Sequence, residues 1–542
     1  MTQPPTTCAS AIARTIAAHG VTTIYALPGV QNDWFFNAVF DLDGAIQVIH
    51  TRHEQGAAYL ALGAAMATGK PAVYSVVPGP GFLNTTAALA TAYAANAPVF
   101  CLTGQIPSKA IGRGLGQLHE IPDQLGILKS LTKWADGVSA PEEGAAKTAA
   151  AFRELRAGRP RPVGLEIPLD ILAAKGDFAP AAPLPVPEEP PLDERALAHA
   201  VDLLARARRP MIFVGSGAQD AAPLVRAIAE RLQAPVVSNR MGRGVLDDRH
   251  RLSLPSLAGH RLWRNCDVAL AIGTRLQTVQ TVWGTDDKLK VIRVEIDPEE
   301  LERSRPPAAA LVGDAASVLK RLAAALETVK QAPSRDAEIA AVREGVARDL
   351  AVLEPQIAYL KAIRAALPEN GIFLEEMTQI GYVSRFAFPA YRPRTFLSSG
   401  YQGTLGWGFA TAIGAKHALP DVPVVAACGD GGFMFNVQEL ATAVHHKIPL
   451  VAIVFNDGAY GNVRRMQEQL YGNRVIASDL TNPDFVALAT SFGIKGERAA
   501  SPEGLRRALD TALASGQPRL IEVPCGAMPS PWPFIQLPKV RG

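Results

Sequence analysis

The stretch Val424-Val425-Ala426-Ala427-Cys428-Gly429-Asp430-Gly431-Gly432-Phe433 decides the fold. Its first five residues are apolar without alternation, the pattern of a strand buried on both faces of a parallel sheet. The glycines that follow let backbone N–H groups come close to an anionic ligand, and Asp430 adds a hard carboxylate. A second apolar run, Leu450 to Phe455, ends in Asn456-Asp457-Gly458. Asp430, Asn456 and a backbone carbonyl, best supplied by Gly458, can give Mg²⁺ or Ca²⁺ three oxygen ligands, with phosphate oxygens and water completing the octahedron. A lone Gly-Asp-Gly also fits an ordinary strand–turn–helix with a chance asparagine downstream, so the rest of the chain has to choose between the two readings.

Working outward, strand-like runs at Val21–Leu27, Ile46–Ile49, Ala72–Val77, Val99–Thr103 and Val163–Ile167 alternate with alanine-rich helical segments such as Gly56–Ala67 and Leu89–Asn96. This is the rhythm of a parallel sheet covered on both faces. Phe178–Glu194 is so rich in proline that it reads as an extended linker. A second α/β block follows, with strands expected at Met211–Val214, Val236–Ser238, Val268–Ile272 and Val291–Ile296. A charged helical stretch around Gln331–Asp349 leads into the block that carries the Gly-Asp-Gly motif. The reading is an α/β protein of three doubly wound parallel-sheet domains, residues 1–177, 195–330 and 350–542. A chain of 542 residues is too long for one core.

The bulk properties exclude several classes. A formal charge of +3 on this length gives no ground for nucleic-acid binding. The start, MTQPPTTCAS, lacks a basic segment followed by an apolar one, and no apolar stretch reaches membrane-spanning length. Cys8, Cys101, Cys266, Cys428 and Cys525 are odd in number and scattered without CxxC spacing, so reduced thiols and a cytoplasmic protein are expected.

The extended motif GDGGFMFNVQELATAV (429–444), the apolar strand and NDGAYG (456–461) resemble the thiamine-diphosphate fingerprint of the acetolactate synthase and benzaldehyde lyase superfamily. The likeness runs over nearly the whole chain and implies pyrimidine-binding, central and diphosphate-binding domains, in that order. It implies thiamine diphosphate and Mg²⁺ as cofactors, with Asp430, Asn456 and Gly458 on the metal and Gly431, Gly432, Asn456 and Tyr460 against the diphosphate. Glu54, in Arg52-His53-Glu54-Gln55, matches the glutamate that hydrogen-bonds the cofactor's pyrimidine nitrogen. Read alone, it is a first-turn glutamate complementing a helix dipole. Ser399 to Gly406 resembles the segment that bends the cofactor, with Leu405 as the wedge between its rings and the Gly403 carbonyl receiving its amino group. Thr378 and Gln379 align with residues that touch the diphosphate; an unliganded helix N-terminal turn is the competing view.

The substrate is read from departures. Where acetolactate synthases carry a second arginine for the substrate carboxylate, this chain has Val279, which cannot make a bidentate contact. The same neighbourhood contributes to the flavin site in those relatives, so FAD is not expected with it. Gln31 matches an active-site histidine of benzaldehyde lyase, and His119 matches a substrate-contacting glutamine; a histidine there can shuttle protons, whereas alone it reads as a surface loop residue. Val77 stands where benzoylformate decarboxylase has a catalytic histidine. Arg465 reads equally as a contact for an anionic substrate or as a solvated helix arginine. The resemblance implies a lyase or carboligase acting on a 2-oxo acid, acyloin or aldehyde through an enamine-carbanion, as a homodimer or homotetramer with its active site across the dimer interface. A simple 2-oxo acid decarboxylase and a flavin-dependent oxidase of the pyruvate oxidase kind are the alternatives.

Overall fold

The computed structural model describes residues 6–303 and 305–542, so the first five residues of the MTQPPTTCAS segment lie outside it. Three six-stranded sheets follow one another along the chain. In the first, the strands lie in the order Gln47–His50, Thr23–Ala26, Ala72–Val76, Val99–Gln105, Val163–Pro168, Trp134–Gly137, and all pairs are parallel. The third repeats this order with Phe396–Leu397, Ile372–Glu375, Val424–Gly429, Val451–Asn456, Arg519–Pro524 and Lys495–Arg498. The middle sheet runs Ser253–Leu254, Val236–Ser238, Met211–Val214, Val268–Ile272, Lys290–Glu295, Ala309–Val312, again parallel throughout. Fully buried strands such as Ala72–Val76 and Val268–Ile272 explain the unbroken apolar runs read from the sequence.

A parallel sheet wound in both directions opens a crevice where the winding reverses, beyond the carboxyl ends of the two strands that flank the switch. In the first sheet that point lies between Thr23–Ala26 and Ala72–Val76; in the third it lies between Ile372–Glu375 and Val424–Gly429. The Gly-Asp-Gly motif thus leaves its strand directly into a switch point.

The first and third units meet through two nearly wholly buried helices, Glu54–Thr68 and Trp407–Ala418. Gly63 faces the Thr411 carbonyl and Gly414 faces the Leu60 carbonyl, so close that a Cβ at either would overlap that backbone. Glu439 adds a polar clasp, its carboxylate accepting the Arg52 N–H at 3.2 and 3.3 Å. The middle unit is tied to the first by Arg159, which sits 2.8 Å from Glu295 and 3.0 Å from Glu300.

The charged stretch before the third sheet contains a helix at Asp336–Leu350, and Phe178–Asp193 contains neither helix nor strand. Among the described residues, no helix is long and apolar enough to cross a membrane.

Candidate active site

At the third sheet's switch point, a cleft is lined by Met377, Thr378, Gln379, Gly403, Leu405, Asp430, Gly431, Gly432 and Tyr460, among others; every lining residue falls between 377 and 465. The structure therefore gathers the nominated residues Thr378, Gln379, Gly403, Leu405, Gly431, Gly432 and Tyr460 around one cavity. Thr378 is the N-cap of helix Gln379–Ala387, yet its hydroxyl makes no capping bond. Gly431 is held to the absence of a side chain, since a Cβ there would lie 2.7 Å from the Tyr460 ring.

Asp430 is buried at the floor. Its Oδ2 accepts the Gly458 N–H at 2.9 Å and the Asn482 side-chain amide at 2.6 Å. The same Asn482 nitrogen lies 2.9 Å from Asn456 Oδ1. Two candidate ligand oxygens thus converge on one amide nitrogen, the positive end of a dipole. Asn456 is oriented by its own amide, which donates to Glu522 Oε1 at 2.8 Å. The Gly458 carbonyl accepts the Leu480 N–H at 2.8 Å and keeps a second lone pair. This donor set of carboxylate, amide and carbonyl oxygens suits a hard dication.

Beside the metal candidates, burial and the neighbouring Asp430 charge push Asp457 up to about 6. Gln379 donates to Asp457 Oδ2 at 2.7 Å while its Oε1 accepts from Met528 N at 2.8 Å and Arg465 at 3.1 Å. Arg465 lines the cleft and also donates to the Met528 carbonyl at 2.7 Å, so it is not a solvated helix arginine. The C-terminal tail closes against the same wall: Trp532 Nε1 donates to Asn462 at 2.6 Å and its ring tilts onto Tyr382 at 5.3 Å.

Beneath the glycine turn lies Glu376, a fully buried carboxyl that sequence reasoning missed. Its Oε1 accepts the Gly406 N–H at 2.6 Å, and burial pushes the carboxyl up to about 7. A Cβ at Gly432 would lie 2.6 Å from that carboxylate. Asn482 and Glu376 carry no motif spacing, and the only trace of Glu376 in the sequence is an acidic pair ending an apolar strand.

The first sheet's switch point holds the other nominated residues. Glu54 opens helix Glu54–Thr68, its Oε2 accepting the Asn84 amide at 3.0 Å. His53 caps that helix, Nδ1 accepting the Gln55 N–H at 3.1 Å. Gln31 donates to the Leu118 carbonyl at 3.1 Å, next to His119. His119 Nδ1 and Gln31 Oε1 are both buried without a partner. Val77 is wedged between Gly29 and Gly81, 2.6 Å from where a Cβ would stand at either. Glu54, Gln31 and His119 do not line the cleft of the third sheet within one chain.

Family models for the thiamine pyrophosphate enzymes match all three units: the N-terminal TPP binding domain at residues 6–127, the central domain at 197–322 and the C-terminal TPP binding domain at 377–523. The chain belongs to the thiamine pyrophosphate enzyme family. It is a thiamine-diphosphate-dependent enzyme, and its relatives align end to end. A probable acetolactate synthase large subunit of Methanocaldococcus jannaschii is 34% identical, covering 96% of this chain and 93% of the relative. A probable 2-ketoarginine decarboxylase, AruI, of Pseudomonas aeruginosa is also 34% identical, over 96% and 94%. Acetolactate synthase isozyme 2 large subunit of Escherichia coli is 32% identical, over 97% and 96%. For a thiamine pyrophosphate enzyme, the cleft at 377–465 falls in the region matched by the C-terminal model, and Glu54 in that matched by the N-terminal one.

Proposed function

We propose that this enzyme is a Mg²⁺-assisted carboligase that joins the acyl part of a 2-oxo acid or acyloin to a second carbonyl compound. The observation that carries the reading is the convergence of Asp430 Oδ2 and Asn456 Oδ1 on one point beside the glycine turn. Asp430, Asn456 and the Gly458 carbonyl would hold the cation, and Gly431 and Gly432 would admit the diphosphate against backbone N–H groups. Thr378 offers an uncommitted hydroxyl at the same end, while Gln379, bonded to Asp457, Met528 and Arg465, fixes the wall beside it. Leu405 and Gly403, which also line the cleft, would support the bend between the cofactor's rings. When bound, thiamine diphosphate supplies the carbanion-stabilising thiazolium.

The protein's task is to orient, dry and move protons. Asn84 holds Glu54 Oε2, which leaves Oε1 to carry a proton to and from a ring nitrogen. His119 Nδ1, buried and unpartnered, is poised to meet a substrate oxygen, and Gln31 Oε1, also unpartnered, to accept from a substrate hydroxyl. Val77 puts an apolar wall beside Glu54 where a decarboxylase of this superfamily would place an imidazole, which favours attack on a second carbonyl over protonation.

The two halves of the site belong to a homodimer, in which Glu54 of one copy faces the cleft of the other; a homotetramer would be a pair of such dimers. Exposed apolar residues around both halves support this, with Val30 60% and Leu118 62% exposed on one side and Tyr401 56% and Phe435 47% on the other. A reducing, cytoplasmic setting suits a chain whose five cysteines are unpaired.

The test is incubation with thiamine diphosphate, Mg²⁺ and a panel of 2-oxo acids with and without aldehydes, including a 2-oxo acid with a guanidinium tail because of the AruI relative. Mass spectrometry should find CO₂ together with a coupled product. Release of free aldehyde alone, at equal rate with and without acceptor, would establish simple decarboxylation instead. Glu54→Gln should retain cofactor binding while slowing exchange of the cofactor's acidic ring proton by about 10²-fold or more; an unchanged exchange rate removes the relay role.

A further inference from the structure

Three of the chain's ten histidines meet at the seam between the first and third sheets. His50 ends strand Gln47–His50 of the first sheet; His445 and His446 end and cap helix Leu440–His445, which packs beside the third. One ring nitrogen from each lies within 4.8 Å of the other two. The ring centroids stand 4.6 Å (His50–His445), 4.8 Å (His50–His446) and 4.7 Å (His445–His446) apart, all in edge-on arrangement.

We propose that His50, His445 and His446 form a transition-metal site, taking Zn²⁺ (or Co²⁺ or Ni²⁺ in its place) with water in the fourth position. Imidazole nitrogen is a borderline donor that selects these ions over Mg²⁺. Zinc with three imidazoles at ~2.0–2.1 Å needs nitrogens roughly 3.4 Å apart. The closing required, roughly 1–1.5 Å, is within reach of side-chain rotation for two exposed histidines and one half-buried one.

The second shell is already in place. His446 Nε2 lies 3.1 Å from the His50 carbonyl oxygen. A carbonyl only accepts, so Nε2 carries the hydrogen and Nδ1 presents its lone pair, which is how a metal-ligating histidine is usually fixed in tautomer and orientation. Burial also disfavours the charged form of two of the rings. Burial, and then the neighbouring His50, His445 and His417, take His446 down to about 4, while burial, His445 and Arg52 lower His50. Neutral imidazole is the form that binds metal. Arg52 is the opposing charge that a bound cation would have to tolerate.

Such an ion would staple strand to helix across the two units four residues before Glu54, and so tether the segment that carries the proposed proton relay. Binding only to the folded chain raises stability in proportion to the logarithm of metal concentration over its dissociation constant.

The experiment uses the full chain, stripped by chelator and then loaded with thiamine diphosphate and excess Mg²⁺ to occupy the hard-ligand site. Equilibrium dialysis against micromolar Zn²⁺, read by elemental analysis, should give one zinc per chain and a raised melting temperature. Co²⁺ should give the visible absorption of a low-symmetry nitrogen site. His50→Ala should weaken zinc by at least about 10²-fold. His446→Gln should do the same while keeping an N–H for the His50 carbonyl, which separates lost ligation from lost packing. Asp430→Asn should retain the zinc. No zinc in the natural chain, undiminished zinc in both histidine variants, or loss of zinc in Asp430→Asn would each overturn the assignment.

Discussion

The side-chain amide of Asn482 donates to Asp430 Oδ2 at 2.6 Å, from the very point where Asn456 Oδ1 also converges at 2.9 Å. An N–H dipole there satisfies two oxygens that would otherwise face each other unscreened. It also stands where a dication would stand, so cation and amide compete for the same acceptors.

Asn482→Ala should therefore strengthen Mg²⁺ binding by about threefold to tenfold and lower the melting temperature of the metal-free protein. Losing the amide leaves Asp430 Oδ2 with the Gly458 N–H alone and the half-buried Asn456 Oδ1 without its donor, which costs about 1 kcal/mol in the metal-free chain. Titration calorimetry with and without thiamine diphosphate reads the first effect and differential scanning calorimetry the second. Weaker Mg²⁺ binding would mean that Asn482 supports the ligands instead of competing for them.

Glu376 makes folding depend on pH. Its carboxyl is raised from the ordinary 4.5 to about 7 by burial, so the folded chain binds this proton more tightly than the unfolded one. The sign follows: its contribution to stability is full below pH 4.5, falls as pH rises towards 7, and is gone above. At most this amounts to roughly 3 kcal/mol. Glu376→Gln should flatten this part of the profile, and subtracting the variant's urea midpoints from those of the natural chain isolates it from Asp457, which is also raised. Parallel profiles would show that Glu376 does not hold its proton in the fold.

Across the domain seam, Gly414→Val should destabilise the protein by about 1–3 kcal/mol or more, because the new side chain meets the Leu60 carbonyl of a helix that has no room to retreat. Chemical denaturation measures it. A variant as stable as the natural chain would mean that the two helices separate without cost.

His119→Ala should reduce turnover by about 10²-fold, or redirect product distribution, with cofactor affinity unchanged. Its backbone is left-handed, φ +69°, and its Nδ1 is buried without a partner, a costly arrangement for a loop residue without a task. Loss of the alkaline or acid limb of the rate profile would accompany the change if the ring moves a proton. An unaltered profile and product ratio would return it to a structural role.

Much of this was legible in one dimension. Apolar runs such as Met211–Val214 and Val268–Ile272 coincide with the strands observed, because a strand covered on both faces has no polar position to blur its ends. Asp430 and Asn456 were readable because each stands at the carboxyl end of such a strand. Asn482, Asn84 and Glu376 were not. Their roles depend on which loop folds back over which strand, and an isolated asparagine or a doubled glutamate has no periodicity to mark it. Arg465 stood open between surface and cleft until Gln379 and Met528 were seen beside it.

By itself the amino-acid order determined the α/β class, the succession of parallel sheets and the strand-end residues able to hold a hard cation, since each of these rests on hydrophobic period and local turn chemistry. Tertiary structure alone decided that the first and third sheets share one winding order, that Glu54 and the glycine cleft stay apart within a single chain, and that His50 meets His445 and His446. The reason is physical: contacts between residues hundreds of positions apart depend on how packed faces fit together, and neither periodicity nor spacing encodes that fit.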